Sequence, residues 1–244
     1  MMENIQIVAL LALGWCIVFC LIHFFRLIKL GKVKDLSQKS GDVAQAVIYS
    51  NTAAMLPAQK ESAYKHLPTF TAGIIYHLGT FLSLLLFILL LPPFNKIGEW
   101  IFTSAWWLLA CISCFLLLSS LCGLSLLLKR VFSKKLKPFS NFDDYFSNGI
   151  VTLLHVFCFV LFTTYTICAI FNFRNEAHMI LAYPFLFYYS HVIIFNGYHI
   201  IATLLFLYLP FGKLKHAMYY FSARYHLGFF YGWRNTWPPK KEKQ

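Results

Sequence analysis

The sequence predicts an all-α integral membrane protein, a five-helix bundle with its N-terminus outside and its C-terminus in the cytoplasm. Three observations predict it: the composition, the length of the apolar runs and the distribution of basic residues. Of the 244 residues, 59% are hydrophobic and only 12% are charged, and the mean hydropathy is +0.63. So few charged residues do not cover a water-facing surface, which excludes a soluble globular domain.

Five apolar runs each reach the length of about 20 residues that an α-helix needs to cross a bilayer. The first run lacks a short apolar core followed by a small-residue cleavage site, which predicts a retained helix. With their connections the five runs form a membrane domain over residues 1–218, and a basic, aromatic cytoplasmic tail follows at 219–244. The predicted spans cover residues 5–28, 70–91, 101–128, 149–171 and 180–209.

Basic residues lie in alternate connections between these spans. Nineteen of the 21 Lys and Arg residues fall in three segments: from the end of the first span through the first loop (Arg26–Lys65), in the third loop (Lys129–Lys137) and after the fifth span (Lys213–Lys243). This positive-inside asymmetry predicts the orientation and a place in the inner, cytoplasmic membrane. It also explains the net charge of +12 without nucleic acid as a partner. The same basic surface suits membrane lipid or a partner subunit.

The segments outside the spans are predicted to contact partners. The first loop, from Gly31 to about Pro68, is the longest, and long loops are often functional. Its second half, Ala54–Lys65, has the pattern of a short amphipathic helix. The tail is too polar for a sixth span and is predicted to lie on the membrane or on a partner.

The seven cysteines all fall within apolar runs, where cysteine usually packs as a small hydrophobic residue. The sequence contains no Cys-x-x-Cys-His motif, which excludes covalent attachment of a c-type haem.

Histidines inside the spans indicate a shared interior site, because an imidazole in the membrane interior is costly. Span two contains His77, span four His155, and span five His191 and His199. A helix that continues past Pro210 would place His216 on the cytoplasmic side. The simpler interpretation of each residue is a hydrogen bond between helices.

Two histidines from different helices at the same depth can bind the two faces of a haem. His77 and His155 lie about 8–9 Å from the cytoplasmic ends of their spans, at 1.5 Å per residue. By depth His77 pairs with His155 or with His216, and the spacing does not choose between them. His191 and His199 lie on one helix, so they do not bind opposite faces of one haem.

Four short motifs are similar to those of the membrane cytochrome b family of respiratory nitrate reductase gamma subunits. The resemblance is greater to the relatives in heterodisulfide-reductase-like and sulfite-reduction-associated membrane complexes. It covers most of the chain from span two onward. The motifs are Tyr76-His-Leu-Gly, Leu126-Leu-Leu-Lys-Arg-Val-Phe, Phe142-Asp-Asp-Tyr-Phe-Ser-Asn, and His199 followed by Leu209-Pro-Phe-Gly-Lys-Leu-Lys-His216.

The resemblance implies a five-helix bundle with two b-type haems between helices two and five. Such a subunit exchanges electrons between a membrane quinone, such as menaquinone, and a cytoplasmic iron–sulfur partner subunit. His77 and His216 would hold the inner haem, and His199 would be one ligand of the outer haem. Phe87 stands where the family pattern has a second helix-two histidine. His155 is then the candidate partner of His199, although its depth differs by about 7 Å.

Two other functions compete with this hypothesis. A membrane di-metal hydroxylase or desaturase gathers histidines in His-x-x-x-His and His-x-x-His-His clusters, and the sequence has neither. A cofactor-free membrane anchor or assembly subunit would use the same histidines only to connect helices. That alternative stays open at the level of the sequence.

Overall fold

A computed structural model describes residues 2–29, 31, 34–56, 66–91, 106–173 and 184–239 of the chain. Within these residues every regular element is a helix, and three short 3-10 turns accompany seven α-helices. The α-helices, in chain order, are α1 (Met2–Lys29), α2 (Val43–Asn51), α3 (Leu67–Leu90), α4 (Trp106–Phe132), α5 (Phe142–Phe173), α6 (Pro184–Tyr208) and α7 (His216–Trp233).

Four of the helices in the described ranges are long and apolar enough to cross a membrane, which indicates a multi-pass membrane protein. They match the first four predicted spans. The fifth predicted span corresponds to α6, whose apolar part Val192–Tyr208 is shorter. The candidate spans are Asn4–Lys29, Leu67–Leu90, Trp107–Phe132 and Phe142–Ile167.

The start of α5 lies seven residues before the predicted one because a capping box fixes it. Asn141 Oδ1 accepts the backbone N–H of Asp144 at 3.1 Å. In return, Asp144 Oδ2 accepts the backbone N–H of Asn141 at 3.0 Å. The pair satisfies two N–H groups at a helix end, where no preceding turn supplies an acceptor.

The end of α6 agrees with the predicted end of the fifth span at residue 209, and the helix does not continue past Pro210 towards His216. The helix ends at Tyr208, and His216 begins the separate helix α7. Pro210 has no N–H to continue the helical hydrogen bonds, and its ring disfavours a helical conformation in the residue before it. The N–H groups of Phe211 and Gly212 both turn back to the carbonyl of Tyr208, at 3.0 Å.

The contacts divide the chain into two compact units. The first, which we call the bundle unit, comprises Met1–Cys16 and Thr71–Lys213. Helix α5 lies between α4 and α6 in this unit and contacts both. The second, the loop–tail unit, comprises Ile17–Phe70 and Leu214–Gln244.

In the loop–tail unit, α7 of the tail packs against α2 of the first loop. A Cβ atom on Gly228 would lie 2.6 Å from the Cα of Val47, so only glycine permits this approach. The guanidinium of Arg224 donates to the last-turn carbonyl of Ser50, whose hydroxyl donates to the Arg224 carbonyl at 2.7 Å. The tail that was predicted to lie on the membrane or on a partner therefore contacts the first loop of its own chain.

Helix α2 lies N-terminal to the helix predicted over Ala54–Lys65. Asp42 starts α2 because its carboxylate accepts the N–H groups of Ala44 and Gln45. Residues 57–65 of the predicted helix lie outside the described residues.

Asp35 in the same unit contacts both the loop and the tail. Its Oδ1 accepts the backbone N–H of Ser37 at 2.9 Å, and its Oδ2 lies 3.3 Å from Arg234 Nε. The Ser37 hydrogen bonds, followed by the charge of Arg234, lower the pKa of this carboxyl below 3.8. A carboxyl whose pKa is lower in the folded state stabilises the fold while it is ionised. The contribution of Asp35 is therefore present above pH 3.8 and is lost as the pH falls from 3.8 through the lowered pKa.

We predict that Gly228→Ala opens the contact between α2 and α7, because the added methyl group overlaps the backbone of α2. Overpacking of this kind costs about 1–3 kcal/mol, which raises the open population about 5- to 150-fold. Trypsin cleavage after the exposed Lys39, measured on the purified protein in detergent, should accelerate accordingly. Gly14→Ala is the matched control because a Cβ atom there has no heavy atom within 4 Å. Equal cleavage rates for both variants would contradict the packing.

Candidate functional site

His155 is fully buried in α5 and connects three helices of the bundle unit. Its Nδ1 lies 3.0 Å from the Ser119 hydroxyl of α4, and its Nε2 lies 3.1 Å from the Thr80 hydroxyl of α3. The Thr80 hydroxyl donates its proton to the Tyr76 carbonyl at 2.9 Å. The Thr80 oxygen is therefore the acceptor for the Nε2–H group of His155, and Nδ1 of His155 accepts the proton of the Ser119 hydroxyl. Both nitrogens of a neutral imidazole are satisfied.

Small residues bring the three helices close enough for these bonds. A Cβ atom on Gly79 would lie 1.8 Å from the Ser119 hydroxyl oxygen, and one on Gly123 would lie 2.6 Å from the Tyr76 ring. The Tyr76 ring centroid lies 5.1 Å from that of His155. In lipid, where helices gain little from hydrophobic burial, close contact and interhelical hydrogen bonds hold helices together. The Tyr76-His-Leu-Gly motif thus contributes two residues to helix packing.

His199 is equally buried in α6, but only one of its nitrogens has a partner within the part of the chain that the structure describes. Nδ1 donates to the carbonyl of Phe195 at 2.8 Å, while Nε2 is buried without a hydrogen-bond partner among the described residues. A histidine that binds a metal commonly donates one N–H to a carbonyl and presents the other nitrogen to the metal. His199 therefore fits the ligand that the sequence predicts.

Phe87, the residue at the position of the expected second helix-two histidine, packs directly against His199. The ring centroids lie 5.5 Å apart at an interplanar angle of 48°, and Phe87 is fully buried. On the other side, the Phe195 ring lies 4.2 Å from the imidazole. Two phenyl rings thus contact the imidazole that the sequence predicts as an outer-haem ligand.

The pairing of His155 with His199 stays a prediction, and the hydrogen bonds of His155 favour another role for it. Both nitrogens of His155 are occupied by the hydroxyls of Ser119 and Thr80. A haem ligand needs a nitrogen lone pair directed at the iron, and the hydrogen bonds leave none on His155. Its position supports the simpler interpretation, a hydrogen bond between helices.

His77 and His216, predicted as the inner-haem ligands, both have exposed side chains. His77 lies in α3, one turn after Gly73, and a Cβ atom on Gly73 would have no heavy atom within 4 Å. This face of α3 thus has room for a planar group beside an imidazole. His216 is the first residue of α7 and belongs to the loop–tail unit, whereas His77 belongs to the bundle unit. Their pairing stays a prediction. The side chain of His191 lies outside the described residues.

A cluster of charged residues joins α4, α5 and the turn after α6 in the bundle unit. The carboxylate of Asp144 forms ion pairs with Arg130 Nη1 at 2.5 Å and with Lys213 Nζ at 2.6 Å. The neighbouring carboxylate of Asp143 accepts the backbone N–H of Lys213 at 2.9 Å and the Tyr208 hydroxyl. We call these five residues the ion cluster. The Asp144 side chain is only 12% exposed, so water screens its ion pairs incompletely.

Three of the four motifs behind the family resemblance meet in the ion cluster. Arg130 comes from the motif after span three, Asp143 and Asp144 from the motif before span four, and Lys213 from the motif after span five. Gly212 of that last motif lies against the Tyr208 ring, where a Cβ atom would come within 2.0 Å of the ring. The cluster was not predicted from the sequence, although two adjacent acidic residues at a span boundary indicate a charged contact there.

No protein-family model, curated protein or solved structure matches the chain. The resemblance to the membrane cytochrome b family therefore stays a prediction.

We predict that Asp144→Asn lowers the free energy of unfolding by about 1–2 kcal/mol, since two cations lose their counter-charge while remaining partly exposed. Adding Lys213→Met should then cost less than it does in the wild-type protein, with a coupling energy of about 0.5–2 kcal/mol. Denaturation of the purified protein in detergent measures both. Lys215→Met, at an exposed lysine two residues away, is the control that should show no coupling. Strict additivity of Asp144→Asn and Lys213→Met would contradict the ion cluster.

His155 gives a second stability prediction. His155→Phe leaves the Ser119 hydroxyl without its acceptor and should cost about 1–2 kcal/mol of unfolding free energy in detergent. His155→Gln retains one donor and one acceptor, so its loss should be smaller. Equal stability of the Phe and Gln variants would rule out the interhelical hydrogen bonds as the role of His155.

Proposed function

We propose that the chain is a membrane cytochrome b subunit of a respiratory complex, which exchanges electrons between a membrane quinone and a cytoplasmic iron–sulfur partner subunit. The observation that carries this proposal is the state of His199. Its Nε2 is buried without a described partner, while Nδ1 is fixed by the Phe195 carbonyl. An unpartnered polar atom in a membrane interior is costly, and a metal bond at Nε2 would remove that cost.

The proposal places the subunit in the inner membrane with five spans and its N-terminus outside. The basic residues of the first loop, of the connection between α4 and α5 and of the tail support this orientation. Helix α6 serves as the fifth span.

His77 and His216 are the proposed axial ligands of one haem, and His199 is a proposed ligand of a second. The exposed imidazole of His77 beside the open face at Gly73 supports the first site. His155 is left out of the ligand set, because both of its nitrogens are hydrogen-bonded. It acts in the proposal as a residue that holds α3, α4 and α5 together.

The haem, when bound, supplies a one-electron redox couple whose potential depends on its axial ligands and its burial. The chain's own residues fix the geometry around it. Phe195 orients the His199 ring through its carbonyl, and Phe87 and Phe195 exclude water from that ring. Exposed basic residues such as Lys215 suit the docking of an acidic partner subunit.

A cofactor-free membrane anchor is the second candidate function, and two specific contacts favour it. His155 is satisfied by hydroxyls of neighbouring helices, and Phe87 packs against His199. In an anchor, these contacts would complete the bundle without a prosthetic group.

The visible spectrum of the purified protein separates the two functions. We predict that the reduced protein shows b-type haem bands. His77→Ala and His216→Ala should each lose about half of the bound haem or more, because each variant lacks an axial nitrogen of the first haem. His199→Ala should lose haem from the second site for the same reason. His226→Ala, at an exposed histidine of α7, is the matched control and should keep the wild-type haem content. A colourless protein that still binds its partner subunit would establish the anchor instead.

A further inference from the structure

The connection between α4 and α5 presents basic and aromatic side chains side by side. Lys134, Lys135 and Lys137 are exposed, and three exposed phenylalanines flank them along the chain. These six residues form what we call the connector surface; its aromatic members are Phe132, Phe139 and Phe142, which are 77%, 86% and 80% exposed.

Two of the three aromatic members lie at the ends of candidate membrane spans, and Phe139 lies in the connection between them. Phe132 is the last residue of α4, and Phe142 is the first residue of α5. The boundary of the membrane hydrocarbon therefore falls near these rings. Phe142 also stacks on Phe146 one turn into α5, with ring centroids 5.9 Å apart. Exposed phenyl rings at this depth gain from contact with the interfacial layer, where aromatic side chains favour one apolar and one polar neighbour.

The lysines keep their positive charge available for a partner. The acidic residues nearest in sequence, Asp143 and Asp144, are engaged by Arg130, by Lys213 and by the Tyr208 hydroxyl. Among the described ion pairs none involves Lys134, Lys135 or Lys137. The ion cluster thus neutralises the local carboxylates and leaves three lysines in a stretch of four residues uncompensated.

We propose that the connector surface binds the headgroups of anionic phospholipids, with its phenyl rings in the interfacial layer and its lysines on the lipid phosphates. The position at the ends of two spans favours lipid over an acidic protein, because headgroups always lie at that depth. The exposed rings favour lipid as well, since they gain from the acyl-chain boundary. This site does not depend on haem binding, so it can hold even if the proposed electron-transfer function fails.

The test uses the full chain, purified in detergent and titrated with phosphatidylglycerol or phosphatidylcholine, with bound lipids counted by native mass spectrometry. The wild-type protein should prefer phosphatidylglycerol. The triple variant Lys134→Gln, Lys135→Gln, Lys137→Gln should lose on the order of 100-fold in affinity for that lipid, about fivefold per lysine. The matched triple variant Lys34→Gln, Lys39→Gln, Lys215→Gln removes the same charge at exposed positions of the loop–tail unit and should keep the wild-type affinity.

The rings are tested separately with Phe139→Trp in bilayers that contain brominated phosphatidylglycerol. An indole in the interfacial layer should add a quenched, blue-shifted component to the emission of the wild-type tryptophans. Three outcomes overturn the proposal. The first is unchanged lipid affinity in the triple variant of the connector surface, which would leave this surface to a protein partner. The second is an equal loss of affinity in both triple variants, which would indicate an effect of net charge alone. The third is an indole at position 139 that the brominated lipid does not quench.

Discussion

Two cations that share one poorly hydrated carboxylate determine how the helices of the bundle unit meet at their basic end. Asp144 pairs with Arg130 of α4 and with Lys213 of the turn after α6. The same side chain closes the capping box that starts α5. A carboxylate with little exposure is stable only when charges and N–H groups surround it, so the ends of α4, α5 and α6 must converge on this point. The sharp turn at Pro210 and Gly212 brings Lys213 back to it.

The two buried histidines differ in their hydrogen-bond partners more than in their burial. His155 lies among hydroxyls, which complete both of its nitrogens. His199 lies among phenyl rings, which cannot complete its second nitrogen. Because a buried polar atom needs a partner, the first imidazole is structural in this arrangement, and the second retains a lone pair that no described residue uses. The proposed function depends on that difference.

Hydropathy alone predicted the first four spans, because the length of apolar sequence needed to cross a bilayer is fixed by its thickness. The helix ends needed side-chain detail, and Asn141 with Asp144 moved the start of α5 by two turns. The role of His155 was not predictable from depth, since depth along one helix does not reveal which hydroxyls face it. The short motifs were informative about packing, but residues such as Arg130 and Gly212 are explained by the ion cluster without any cofactor.

The loop–tail unit joins residues from opposite ends of the chain, with α2 near residue 50 resting on glycines near residue 230. A ribosome that inserts this protein into a membrane releases the first loop long before the tail has been synthesised. Until α7 has been synthesised, α2 lacks the surface on which Val47 and Ser50 pack, and nine residues of helix are too few to be stable alone. The loop–tail unit therefore forms only after α7 has left the ribosome, and a chain that terminates before α7 would leave its first loop accessible to proteases.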